Sequence, residues 1–105
     1  MPKEYVKLVN EAKRKYRDFL YFLKNKSGIL LLLLIGQERG CLYSKALYIV
    51  KQKRVLENLI SLKLLKVVDL NGDKVLLLTD KGKRVFELLV ELYREIYERG
   101  DTTLP

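Results

Sequence analysis

"LKVVDLNGDKVLLLT", residues 65–79, sets an Asn-Gly pair between two runs rich in leucine and β-branched side chains. A type I′ turn needs positive φ at both central positions, and Asn followed by Gly tolerates this best, so the stretch predicts a β-hairpin turning at Asn71 and Gly72. A two-residue loop also fixes the register. Residue 70 should face 73, 69 should face 74 and 67 should face 76, which makes Asp69 and Lys74 an opposite-charge pair near the tip. Leu65, Val67, Leu76 and Leu78 then share one face, expected on the core. Val68, Val75 and Leu77 occupy the other, which is unusually apolar for a face left in water.

Beyond the hairpin, Thr79 is placed to cap a helix, with Asp80 in its first turn where the helix dipole favours negative charge. Val85, Phe86, Leu89, Leu92, Tyr93, Ile96 and Tyr97 form a broad apolar stripe to about Glu98. Glu87, Glu91, Glu95 and Glu98 make the opposite side acidic. Gly100 should stop this helix, leaving Asp101 to Pro105 as a frayed tail.

Before the hairpin, "KQKRVLENLISLKLL", residues 51–65, puts three cations at the head of a segment with helical apolar spacing. At about 100° per residue, Val55, Leu59 and Leu62 converge on one face with Leu56 beside them, while Lys53, Arg54, Glu57 and Ser61 project from the other. A short helix capped by Ser44 and containing Ala46 and Leu47 is expected to precede it, with a turn near Tyr48 to Val50 and the second helix from about Lys51 to Leu62. A single bent helix from Ser44 to Leu62 is the alternative. Further upstream, Ser27 is read as the cap of an all-round apolar helix through Ile35, ended by Gln37-Glu38-Arg39 between Gly36 and Gly40. Such a helix belongs at the centre of the core. The chain opens with a long amphipathic helix whose stripe is Tyr5, Leu8, Val9, Ala12, Tyr16, Phe19, Leu20 and Leu23, with Lys7, Lys13, Arg14 and Arg17 off it.

The order helix, helix, short helix, helix, β-hairpin, helix is that of a winged helix-turn-helix. "RVLENLISLKLLKVV", residues 54–68, resembles the end of a recognition helix entering the first wing strand. "VLLLTDKGKRVFELL", residues 75–89, resembles the second wing strand, its Thr cap and the helix after it. Over residues 27 to 98 the chain is thus similar to archaeal and bacterial winged-helix DNA-binding regulators of the broad MarR/PadR-like group. The resemblance implies an α+β, mostly α fold with long terminal helices and one wing. It also implies a dimer formed through those helices, placing two recognition helices about 34 Å, one DNA turn, apart. The expected organisation is one domain over residues 1–105: an N-terminal helix (1–26), a helix-turn-helix with its wing (27–79), and a C-terminal dimerisation helix (80–98).

Charge and composition bear on function independently. The net charge of +8 is unevenly spread: residues 1–26 hold eight Lys/Arg against three Asp/Glu and residues 44–66 hold six against one, whereas residues 67–105 hold six against eight. Two basic stretches of this kind attract nucleic acid or anionic lipid. The longest apolar run, Ile29 to Ile35, is too short to span a membrane. Lone Cys41, unable to form an internal disulfide, is expected as a small packed residue in a reducing cytoplasm. With no histidine, no glycine-rich phosphate loop and one cysteine, neither enzymatic activity, nor metal, nor any cofactor is expected.

Arg and Lys read guanine O6/N7, Gln reads adenine and Glu accepts from the cytosine amino group in the major groove. Candidate contacts to double-stranded DNA are therefore Lys51, Gln52, Lys53, Arg54 and Glu57 on the recognition helix. Lys45 and Tyr48 join them from the helix before it, and Lys74 from the wing tip. Candidate dimerisation residues are Tyr5, Leu8, Tyr16 and Phe19 at one end and Leu89, Leu92, Tyr93, Ile96 and Tyr97 at the other. The basic side chains of the first helix either extend the phosphate-binding surface or pair with the glutamates of the last helix. The competing reading is a protein-interaction winged helix, whose apolar wing face and terminal helices bind a partner while the charge gives solubility.

Overall fold

A computed structural model describes residues 3–98 of the chain. Its elements are α1 (Lys3–Lys15), α2 (Arg17–Lys24), α3 (Lys26–Glu38), β1 (Cys41–Leu42), α4 (Tyr43–Val50), α5 (Lys53–Ser61), β2 (Leu65–Leu70), β3 (Asp73–Leu78) and α6 (Asp80–Tyr93), followed by a π-helical turn over Arg94–Glu98. The proposed stop at Gly100 and the tail after it lie outside the described residues.

The hairpin forms in the expected register, with Leu70 facing Asp73, Asp69 facing Lys74 and Val67 facing Leu76. Asn71 and Gly72 take φ of 53° and 87°, the left-handed pair that the turn requires. An unforeseen third strand joins it: β1 pairs antiparallel with β3, so β3 is central and the order is β1-β3-β2. The core face departs from expectation at one position. Leu65, Leu76 and Leu78 are buried, but Val67, on the outer strand, is 42% exposed. The opposite face is half-covered rather than left in water: Val75 and Leu77 are partly buried beside Gly40, where a Cβ would meet Leu77 Cδ2 at 3.2 Å.

α3 is the central helix. Leu31, Leu32 and Ile35 are at most 1% exposed and pack with Ala46, Val50, Leu56, Leu59, Leu64 and the buried hairpin leucines. Its cap is Asn25 rather than Ser27: Asn25 Oδ1 accepts from the Gly28 N–H at 3.1 Å and also from Ser27 Oγ. The helix continues through Gly36, where a Cβ would fall 2.3 Å from the Phe86 ring, so the glycine lets α6 approach closely. It ends at Glu38, with Arg39 in the left-handed conformation donating its N–H to Ile35 O. Ser44, expected as a cap, lies inside the first turn of α4, whose N-cap is Leu42 without a side-chain bond.

The connection from α4 to α5 is a true turn, excluding one bent helix, and sits later than expected. Tyr48, Ile49 and Val50 remain helical; Lys51 takes φ 64°, ψ −22° and closes α4 through its N–H to Leu47 O, and Gln52 is extended. At the far end of α5, Lys63 (φ 62°) donates to Ile60 O and Leu64 donates to Leu59 O, the paired bonds of a Schellman cap with a lysine in the glycine position. Thr79 caps α6 as expected, accepting from the Gly82 N–H at 2.9 Å, and its hydroxyl donates to Lys63 O. The Thr79 N–H in turn bonds Leu64 O. A Cβ at Gly82 would lie 2.0 Å from that same carbonyl.

The long first helix is divided at Tyr16 (φ −102°, ψ 13°), although Tyr16 and Leu20 keep their i to i−4 bonds across the break. Neither α1 nor α2 has a buried residue. Among the described residues no single helix is long and apolar enough to cross a membrane. α2 and α3 reach that length only together, bent by 73°.

Candidate nucleic-acid interface

α5 owes its place to its apolar edge: Leu56 and Leu59 are buried, Val55 and Ile60 half-buried, and Leu62, expected on the same face, is 39% exposed because the helix has ended at Ser61. Lys53, Arg54, Glu57 and Ser61 are exposed on the opposite edge. Lys51 and Gln52 lie in the turn before the helix rather than in its first turn, and both are exposed. Because Gln52 is the N-cap without capping through its side chain, that side chain is free of the helix and borders open surface. Lys45 and Tyr48 are exposed on α4, Tyr48 at 84%, and border one shallow depression with Ser44 and Ile49. Lys74 is exposed at the wing tip, paired across the hairpin with Asp69.

Among the described residues no ion pair engages the cations of α4 or α5. Among the described residues the recorded ion pairs join Arg17 with Asp18 at 3.6 Å and Arg94 with Glu98 at 3.8 Å, both on the surface and neither touching α4 or α5. Among the described residues no ion pair joins the cations of α1 to Glu87 or Glu91 of α6. Cys41 is half-buried, and burial raises its thiol pKa above the ordinary 9.0, with Lys45 pulling more weakly the other way.

The structure adds residues that the sequence did not single out. An open cleft of about 440 Å³ runs along one flank of α5, between Gln52, Arg54 and Asn58 on one side and Tyr21, Lys24 and Asn25 on the other. Arg54 and Asn58 are one helical turn apart, a spacing that would have flagged Asn58 as a second polar group beside Arg54. The approach of Tyr21 and Lys24 to that helix comes from the bend between α2 and α3 and has no local signal.

The proposed dimerisation residues divide by position. Leu89 packs against the core. Tyr5, Leu8, Tyr16, Phe19, Leu92, Tyr93, Ile96 and Tyr97 are all between 45% and 73% exposed.

No protein-family model and no curated protein matches the sequence. Among solved structures, the fold is similar to that of a winged-helix DNA-binding protein from STIV, at 26% identity and a TM-score of 0.51, covering 70% of this chain and 90% of that one. It is also similar to MepR, a transcription regulator of the Staphylococcus aureus multidrug efflux pump MepA, at 19% identity and a TM-score of 0.62, covering 100% of this chain and 86% of that one. The architecture is a winged helix-turn-helix, with α4 and α5 as its two helices and β2-β3 as its wing, as the sequence resemblance implied.

Proposed function

We propose that this protein binds double-stranded DNA as a homodimer and regulates transcription, α5 entering the major groove. The observation that carries this reading is the outward edge of α5: Lys53, Arg54 and Glu57 exposed together behind Lys51 and Gln52, on a scaffold whose back is fully occupied by core leucines. A major groove admits one α-helix, and these side chains supply both donors for guanine and phosphate and an acceptor for cytosine. Similarity to the winged-helix DNA-binding protein from STIV supports the same partner. Lys45 and Tyr48 would contact phosphate from α4, and Lys74 from the wing. With Asp69 opposite and Asp73 beside it, the tip adds little positive charge.

The test is a selection of bound duplexes from a random pool, followed by titration at several salt concentrations. Affinity should fall steeply with salt, because each neutralised phosphate releases counterions. Replacing Lys53 and Arg54 with alanine should weaken binding at matched salt and leave the circular dichroism spectrum unchanged, since both side chains are exposed. Undiminished affinity in that double variant would remove the assignment to α5. Equal affinity for selected and random duplexes would instead mark a non-specific architectural protein.

The exposed aromatic and aliphatic side chains of α1, α2 and the end of α6 favour a second reading, in which they bind a different protein and the charge serves solubility. Absence of any gel shift at low salt, with a monomer in sedimentation, would select it.

A further inference from the structure

We infer that the cleft between the end of α2 and the flank of α5 is a phosphate seat, in which Lys24 and Tyr21 join Arg54 to hold one backbone phosphate of the duplex. This rests on the reading above, and extends the contact surface to an element that sequence spacing alone does not bring near α5.

The cleft is built by packing. Gly28, in the first turn of α3, lies so close to Val55 that a Cβ would meet Val55 Cγ1 at 3.3 Å, which fixes the start of α3 against the inner edge of α5. α2 meets α3 at a bend of 73° immediately before, so the last turn of α2 overhangs the same flank. Lys24 and Arg54 therefore reach one open space from two different elements, and among the described residues no carboxylate lines it. The remaining polar groups there are the Tyr21 hydroxyl and the side-chain amides of Asn25, Gln52 and Asn58. Asn25 uses its Oδ1 to cap α3, which leaves its NH2 as the group available to donate. The first turn of α3, a helix of 13 residues, adds its partial positive charge at the same corner.

A space with two cations, neutral donors and no acid selects an anion. A groove of about 12 Å that receives α5 carries a sugar-phosphate strand along each side of the helix, so a phosphate at this flank is the anion that arrives with the duplex. Such a contact positions the protein without reading bases. Arg54, bordering both the cleft and the outward face, would be shared between the two tasks.

The experiment uses the full chain, the tightest duplex recovered from a random pool and a scrambled duplex of equal length, with anisotropy titrations across salt. Lys24→Ala should weaken binding to both duplexes by the same factor and make the slope of log affinity against log salt shallower by about one. Tyr21→Phe should act in the same direction and more weakly. If Lys24→Ala changes neither affinity nor slope while the Lys53 and Arg54 replacements weaken binding, the seat is refuted and the α5 reading stands. If none of these replacements matters, the DNA reading itself fails and the seat with it. A Lys24→Ala effect confined to the selected duplex would also overturn the proposal, because a phosphate contact carries no base preference.

Discussion

Arg39, Lys51 and Lys63 each hold a left-handed backbone conformation that helices usually end with through glycine. For an L-residue this costs on the order of 1 kcal/mol. Lys63→Gly should therefore raise stability by about 0.5–1 kcal/mol in urea denaturation, with DNA affinity unchanged because Lys63 lies at the far end of α5. Lys51→Gly should stabilise similarly yet weaken binding, and this opposition would separate the conformational role of Lys51 from its charge. Gly82 sets the reverse case. A methyl at this position would collide with the Leu64 carbonyl, a backbone atom that cannot rotate aside, so Gly82→Ala should destabilise by about 3 kcal/mol. Cys41 gives a pH-dependent signature. Its folded pKa is raised by burial, so its contribution is constant below the unfolded value near 9 and is lost as the pH rises above it. Stability measured between pH 8 and 10 should fall less in Cys41→Ala than in the parent.

At the scale of elements, the same left-handed lysines explain what the sequence concealed. The hairpin was legible to the residue because Asn71-Gly72 announces positive φ chemically. The turn between α4 and α5 was misplaced by about two residues because Lys51 adopts that conformation with no glycine to mark it. β1 escaped notice because two residues carry no alternation, and its pairing with β3 is purely tertiary. Ser27 and Asn25 are both good caps, and only the observed bond to Gly28 decides between them. For the candidate site, the outward edge of α5 was readable from the 100° repeat, whereas its cleft with Tyr21 and Lys24 depends on the angle between two other helices. The α3 helix was read as central, and it is. Leu32→Ala, at a side chain with no exposure, should cost about 3–5 kcal/mol by chemical denaturation.

The whole molecule is elongated, 60 × 36 × 23 Å with a radius of gyration of 17.4 Å, where a compact chain of 100 residues has about 13 Å. Replacing Phe19 or Tyr93 with aspartate should shift sedimentation toward the monomer if these faces join two copies. It should also weaken DNA binding, because two linked half-sites lose their shared effective concentration. Loss of the second copy should also lower the melting temperature at a given protein concentration, while the packing of the α3 core is untouched, since neither side chain belongs to it. α1 carries a further consequence. None of its thirteen residues is buried by its own chain, and a helix of that length is marginal in water, so if a second copy covers it, part of its folding comes from association. The far-UV ellipticity per residue should then decline on dilution through the association midpoint, making helix content a readout of protein concentration.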